Sequence, residues 1–190
     1  MASRVIAPVL MMIALLLGGC GEAQRLENSF ENAREGWLGA ESLSFTAELS
    51  AELEDSVFSC TLQCSRRGDE TLVEVLAPEM IAGIKARLRN GETQLEYDGL
   101  ILAVGDPTQG EISPLAAMPL IMSSLLEGHV TMLWSEQEGE RELTAAEIYV
   151  DEESSLRLWF EKENFALTHG ELVSEGKAVV KCRITDFTKE

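Results

Sequence analysis

Positive charge is scarce in this sequence. Its 190 residues contain 33 aspartates and glutamates against 15 lysines and arginines, which gives a formal net charge of −18 at pH 7. Proteins that bind nucleic acid take much of their affinity from cations that neutralise phosphates, and an anionic membrane surface repels an acidic body. The composition therefore argues against nucleic acid as a partner and against direct binding of the acidic domain to a membrane surface.

Histidines and aromatic residues are also few. His129 and His169 are the only histidines, and aromatic residues make up 6% of the chain. The sequence has no phosphate-binding glycine loop, no calcium loop and no HExxH motif. It therefore predicts a protein that is not an enzyme and holds no metal or cofactor. A carboxylate pair of the glycosidase type is the alternative among so many acidic residues.

Long apolar runs are missing as well. The run from Val5 to Leu17 has thirteen residues, fewer than the ~20 that a helix needs to span a bilayer. Such a run after Arg4 is typical of a cleaved signal peptide, here residues 1–19.

The end of this run carries a short motif. Leu17-Gly18-Gly19-Cys20 resembles the lipobox of bacterial lipoproteins, in which the cysteine sulfur receives a diacylglyceryl group. The resemblance implies an extracytoplasmic protein held at the cell membrane by lipidation of Cys20, and two or more acyl chains give durable attachment. An ordinary secretory signal with an incidental cysteine is the alternative.

Three cysteines remain beyond Cys20. Cys60 and Cys64 are four residues apart in a predicted strand, which separates their Cα atoms by ~13 Å. A disulfide needs roughly 4.4 to 6.8 Å, so these two cannot pair with each other. A disulfide from either one to Cys182 and a set of buried free thiols both stay open at this point.

A short helix is predicted between Cys20 and the main domain. Leu26, Phe30 and Trp37 are spaced by four and seven residues, which is typical of a thin apolar helical stripe. We expect residues 20–40 to contain the acylated cysteine, a short linker and this helix, and residues 41–190 to form one domain.

Beyond Gly39 the apolar residues recur at every second position, the pattern of half-buried strands. Asn90-Gly91 and Asp98-Gly99 are strong signals for tight turns between antiparallel strands. The pattern predicts an antiparallel sheet of about ten strands with one apolar face. The alternating positions are Leu43, Phe45, Ala47, Leu49, Ala51 and Leu53, then Phe58, Cys60, Leu62 and Cys64, then Ile84, Ala86 and Leu88, and later Val130, Met132, Trp134, Ile148, Val150, Leu156, Leu158, Phe160, Ala178, Val180, Cys182 and Ile184.

One segment breaks this alternation and predicts a second helix. Its helical spacing and end signals are carried by Ser113, Pro114, Leu115, Met118, Met122, Leu125 and Gly128. Ser113 is suited to cap the helix and Gly128 to end it, while Pro119 predicts a kink or a new start. Because a sheet with one apolar face needs a cover, we expect an α+β fold, a curved half-barrel sheet covered by one or two helices.

This layout of acylated cysteine, helix, strand meander and inserted methionine-bearing helix resembles the LolA/LolB-like half-barrel superfamily of bacterial lipoproteins. The stretches "LVEVLAPEMIAGIKARL", "YDGLIL" and "ISP" are most similar in layout to the sporulation and germination lipoproteins of spore-forming bacteria. The resemblance implies a lipoprotein carrier, receptor or lipid-binding protein of the cell envelope. The soluble carrier of the Lol system has no lipid anchor, so Cys20 favours an anchored receptor or ligand-binding lipoprotein.

The predicted apolar face of the sheet is the feature that says most about function. One hypothesis is a site for a lipid or acylated ligand between sheet and helix, where the protein moves the ligand or senses it. The alternative is a closed core in an anchored scaffold whose outer surface docks an envelope or spore-cortex protein. Met80, Met118 and Met122 suit either one, since methionine adapts to irregular partners. The predicted ligand-binding residues are Phe45, Leu49, Phe58 and Leu62 on the sheet and Met118, Met122 and Leu125 on the helix.

Five basic residues fall within one predicted pair of strands, with four acidic residues among them. They are Arg66, Arg67, Lys85, Arg87 and Arg89, interleaved with Asp69, Glu70, Glu74 and Glu79. The mixture predicts local ion pairs, with docking of a lipid headgroup or an acidic partner as the alternative.

Overall fold

The protein is described here by a computed structural model, which covers residues 3–53, 56–89, 92–103 and 117–190. The predicted turn at Asn90-Gly91 and the predicted helix start at Ser113, Pro114 and Leu115 lie outside these ranges. The two helices are α1 (Ser3–Leu38) and α2 (Ala117–Glu127). The strands are β1 (Ser42–Leu53), β2 (Ser56–Arg67), β3 (Glu70–Ala77), β4 (Lys85–Arg89), β5 (Glu92–Tyr97), β6 (Leu100–Ala103), β7 (His129–Glu138), β8 (Arg141–Tyr149), β9 (Ser154–Glu161), β10 (Leu167–Ser174) and β11 (Lys177–Lys189).

The strands form one curved, open antiparallel sheet of eleven strands in the order β6-β5-β4-β3-β2-β1-β11-β10-β9-β8-β7. The predicted architecture is therefore confirmed, with one strand more than the sequence pattern gave. The turn at Asp98-Gly99 joins Tyr97 to its partner Leu100, and both turn residues have positive φ. Two positive φ values are typical of the tight hairpin turn that Asp-Gly favours.

Alternation along the strands gives the sheet an inner face that packs on the helices and an outer face that points away. On β1, Phe45, Ala47 and Leu49 are at most 2% exposed, and their partners on β2 are Cys64, Leu62 and Cys60. These residues belong to one large buried cluster that also includes the buried face of both helices. Burial of that continuous apolar surface is the main stabilising contribution to the fold.

Helix α1 docks on the sheet through two aromatic side chains. Phe30 and Trp37 are 0% and 2% exposed, and both contact Phe160 of β9 with ring centroids 5.6 Å apart. The predicted amino-terminal helix is therefore confirmed, and it is longer than expected because it begins at Ser3. Among the described residues, no helix has an apolar stretch long enough to cross a membrane.

One strand departs from the predicted alternation. The pairing of β7 with β8 shifts between Val130 and Met132, so a bulge at this point reverses which residues face inward. Leu133 replaces Met132 on the inner face, and Met132 is 56% exposed. The expectation that Met132 and Trp134 share the inner face with Val130 is wrong for this reason.

The ion pairs predicted between β3 and β4 are present. Lys85 contacts Glu74 at 3.4 Å and Arg87 contacts Glu70 at 3.1 Å, both measured between nitrogen and oxygen. Arg89 and Asp69 form a further pair at 3.2 Å. These pairs lie at the outer face and are half-exposed, so each contributes about 1 kcal/mol or less.

Candidate functional site

The candidate site is the interface between the inner face of the sheet and α2. Six of the seven predicted ligand-binding residues are buried there, at 0 to 2% exposure: Phe45, Leu49, Leu62, Met118, Met122 and Leu125. The seventh, Phe58, is partly buried and packs against the same cluster. The structure therefore brings all seven residues to one cluster.

The described residues of this interface are closely packed against one another. A side chain with 0% exposure has no water-sized space beside it, and Leu62, Met118 and Met122 all have that value. Helix α2 packs on β2 and β3, so it occupies the position where a ligand between sheet and helix would lie. A ligand therefore reaches the part of β2 and β3 beneath α2 only if α2 moves.

Met80 does not belong to this interface. It lies between β3 and β4 and is 86% exposed, so its suggested place beside Met118 and Met122 is wrong. The segment that carries it follows Pro78 and forms turns with hydrogen bonds from Ile81 and Ala82 to the Pro78 carbonyl. These turns direct Met80 to solvent.

The three cysteines of the domain are buried free thiols. Cys60 and Cys182 are partners of the same residue, Leu49, from opposite sides. Two strand spacings separate them by about 9.6 Å, beyond the reach of a disulfide. Burial raises the pKa of Cys60 and raises the pKa of Cys182 to about 12, so these thiols are protonated at neutral pH.

A second cluster lies on the outer face of the sheet. Trp134 of β7 and Trp159 of β9 both face Ala145 of β8 from opposite sides. Because Ala145 is small, the two indoles lean over it, with ring centroids 6.5 Å apart. His169 of β10 stacks on Trp159 at 4.5 Å. Ala145 is fully buried beneath these rings, although it does not belong to the large buried cluster on the inner face of the sheet.

One carboxylate fixes both indoles of this outer cluster. The indole N–H groups of Trp134 and Trp159 donate to the same oxygen, Glu136 Oε2, at 3.1 and 2.9 Å. The bonds from Trp159 and then Trp134 lower the pKa of Glu136. Burial lowers the pKa of His169, against the opposing effect of the carboxylates of Glu138, Glu171 and Glu136.

Sequence reasoning did not find the outer cluster. Its residues come from four different strands, β7 to β10, and only the register of the sheet brings them together. An available signal was that Trp159 occupies an outward position between Leu158 and Phe160, where a polar residue is expected.

Two other predicted features stand apart from this interface. The backbone of Cys20 lies within α1, but its side chain is outside the described part of the structure, so its lipidation stays a prediction. Among the described residues, no three His, Cys, Asp or Glu side chains are close enough together to hold a metal ion.

Comparison with solved structures places the architecture among known ones. A candidate outer membrane lipoprotein-sorting protein domain from Vibrio parahaemolyticus superposes with a TM-score of 0.52 at 9% identity, over 90% of this chain and 93% of that one. An uncharacterised conserved protein from Thermus thermophilus gives 0.54 at 10% identity, over 86% and 87%. A LolA superfamily protein from Nitrosomonas europaea gives 0.49 at 12% identity, over 87% and 93%.

The chain shares its fold with the Vibrio parahaemolyticus and Thermus thermophilus proteins. At such low identity the comparison shows the fold alone. No protein-family profile matches the sequence, and no curated protein sequence matches it.

Proposed function

We propose that this chain is a lipid-anchored binding protein of the cell envelope, in which α2 moves from the sheet to admit an acyl chain. Lipidation of Cys20 after removal of residues 1–19 tethers the domain outside the cytoplasm. The Vibrio parahaemolyticus domain with this fold is described as a candidate for lipoprotein sorting, and lipoproteins carry acyl chains. The proposal assigns the protein no catalytic step.

The observation that carries this proposal is the way α2 is attached. Helix α2 has 11 residues, eight of them buried, and most of those are apolar. Among the described residues, one side chain outside α2 donates a hydrogen bond to it, from Arg34 Nε to the Leu125 carbonyl at 3.2 Å. Apolar contacts are non-directional, so these contacts do not restrict α2 to one position on the sheet.

An acyl chain replaces these contacts with similar ones. Burial of apolar surface contributes about 25 cal/mol per Å² removed from water, and this holds whether a methionine side chain or an acyl chain covers the surface. Met118 and Met122 are both 0% exposed and have flexible side chains that adapt to a new partner. An isolated helix of this length is marginally stable in water, so α2 rearranges readily once it leaves the sheet.

The closed interior supports a second candidate function. If α2 stays in place, the protein is an anchored scaffold that docks an envelope protein, for example a spore-cortex protein in sporulation or germination. The specific observation in its favour is that Leu62 and Met122 have no exposed surface. Ligand-dependent stability separates the two functions.

The experiment measures the unfolding of Met122→Ala in the chain from residue 21 onward, with and without a short-chain diacylphosphatidylcholine below its micelle concentration. We expect the substitution to cost about 2 to 5 kcal/mol through lost burial and a cavity. The lipid then occupies the enlarged space and stabilises by about 2.7 kcal/mol at a hundredfold excess over Kd.

Leu143→Ala is the matched control, because Leu143 is equally buried but pairs with Glu136 and Glu161 on the outer face. We expect it to lose similar stability and to gain nothing from the lipid. If the lipid stabilises neither variant nor the parent, the acyl-binding proposal is wrong and the scaffold function stands.

A further inference from the structure

A groove of about 590 Å³ lies between α1 and the edge of β7, and we name it the α1–β7 groove. One wall is a single stripe of α1 formed by Ala23, Glu27, Glu31 and Arg34. The other wall is the continuous run from Glu127 to Leu133. Successive strand residues face opposite sides of a sheet, so a groove lined by every residue of such a run follows the backbone edge of the strand.

Among the described residues, β7 is the last strand of the sheet, and no described strand pairs with the backbone groups of its outer edge. The hairpin to β8 closes at Glu138 and Arg141, with Gly139 at φ +62° as the first turn residue. In such a two-residue hairpin the closing pair is hydrogen-bonded and the alternation continues along the strand. Leu133 and Ser135 therefore direct their N–H and C=O groups away from β8.

The charge of the groove selects its occupant. Three carboxylates line it, those of Glu27, Glu31 and Glu127, together with the single guanidinium of Arg34. Arg34 is already paired with Glu31 at 3.4 Å. The groove is therefore net acidic, in a chain of net charge −18, and a partner with positive side chains complements it.

The spacing of the carboxylates along α1 is close to the spacing of side chains along an extended chain. Glu27 and Glu31 are one helical turn apart, about 6 Å along the axis. Every second side chain of a strand projects to the same side, with a repeat of about 6.6 to 6.8 Å. A strand paired to β7 thus presents successive lysines or arginines to successive carboxylates of α1.

We propose that the α1–β7 groove binds an extended basic segment of a protein partner by strand addition to β7. The backbone of the segment pairs with the outward groups of β7, which is a known mode of peptide recognition. Its basic side chains contact Glu27 and Glu31. The groove adjoins α2, because Glu127 is the last residue of α2 and Arg34 donates to the Leu125 carbonyl. The peptide test below contains no acyl ligand, so its outcome does not depend on whether α2 admits lipid.

The test uses the full-length protein in detergent and a labelled peptide of about eight residues that alternates lysine and valine. Fluorescence anisotropy measures its Kd, and we expect a peptide of alternating glutamate and valine not to bind. The same lysine–valine peptide N-methylated at every second residue cannot pair along one edge, so we expect it to bind at least about tenfold more weakly, a loss of 1.4 kcal/mol.

Charge reversal supplies the matched protein variants. Glu27→Lys with Glu31→Lys should weaken binding by about tenfold or more. Glu22→Lys with Glu35→Lys changes the net charge equally on the same helix but outside the groove lining, and should leave Kd within about twofold. Ser135→Pro removes an outward N–H from an edge strand, where proline is tolerated, and should also weaken binding.

Several outcomes overturn the proposal. Equal weakening by the two double variants means that the peptide responds to overall charge and not to the groove. Equal binding of the N-methylated peptide excludes strand addition. No binding at about millimolar peptide, or occupation of the edge by a second copy of this chain in light scattering, also contradicts it.

Discussion

At the residue scale, a glycine shows how closely the chain segments approach each other. Gly128 follows α2 and its N–H donates to the Ser124 carbonyl at 2.9 Å. A Cβ at this position would lie 2.5 Å from both Ile148 Cγ2 and the Ser124 carbonyl oxygen. The sequence predicted Gly128 as a helix stop, and the structure adds that no larger residue fits there.

We therefore expect Gly128→Ala to lose about 1 to 3 kcal/mol or more, because the clash involves backbone that cannot move aside. Gly36→Ala is the control, since its Cβ would meet only the flexible end of Lys189, at 3.1 Å. Gly36 lies in α1, where alanine is favoured over glycine by roughly 0.5 to 1 kcal/mol. Urea unfolding of both variants decides the point, and equal stabilities would contradict it.

The buried thiols give a second prediction at this scale. Because burial raises the pKa of Cys64 and Cys182, the reactive thiolate is rare and we expect neither residue to be alkylated by iodoacetamide in the native protein at about pH 8. Both should react after unfolding. Mass spectrometry of the labelled peptides measures this, and fast native labelling of Cys64 would show that the inner face is open.

The raised pKa of Cys182 also affects the stability of the fold. A thiol whose folded pKa is raised stays neutral in the folded protein, while the unfolded thiol ionises near about pH 8.5. The stability is complete below that pH and falls as the pH rises above it. Cys182→Ala should therefore flatten the alkaline loss of stability, whereas a profile that is unchanged would show that Cys182 does not contribute to it.

At the element scale, the outer cluster binds β7 to β9 across β8. Glu136 accepts both indole N–H groups, and these bonds lower its pKa. A carboxylate with a lowered folded pKa stabilises above its unfolded pKa, and this contribution is lost as the pH falls through the folded pKa. We expect tryptophan fluorescence to change below about pH 4 as Glu136 is protonated.

Trp37→Phe removes the tryptophan of the inner core and leaves Trp134 and Trp159 as reporters, since the chain has three tryptophans. In that background Glu136→Gln should abolish the acid transition, because the side chain no longer titrates. A transition of the same midpoint and amplitude in Glu136→Gln would contradict the assignment.

The elements also show how far the sequence predicts the fold. Alternation in β1 and β2 gave the inner face correctly, because each of those strands pairs residue by residue along its length. It failed in β7, where one extra residue near Thr131 reverses the alternation. A bulge depends on the partner strand, so a pattern read along one strand does not contain it. The seven predicted site residues share one cluster because regular spacing along the chain places apolar residues on the inner face. The close packing of that cluster could not be predicted, because it depends on contacts between segments that are distant in sequence.

At the scale of the whole molecule, the proposed attachment to the membrane depends on a single side chain, that of Cys20. Cys20→Ala should prevent acylation and leave the precursor uncleaved, because the lipobox motif needs the cysteine sulfur. Cys182→Ala is the control and should be processed normally. Mass spectrometry of the membrane fraction measures both, and normal processing of Cys20→Ala would contradict the anchor.

The central claim is that an acyl chain lies between α2 and the inner face of the sheet. The most direct measurement is photo-crosslinking of the full-length protein in vesicles that contain a phospholipid with a photoactivatable acyl chain, followed by peptide mapping. The proposal predicts crosslinks to Met118 or Met122 of α2 and to Leu62 of β2. The proposal would be contradicted if α2 stayed unlabelled and all crosslinks lay on the outer face of the sheet or in the part of α1 that precedes Phe30.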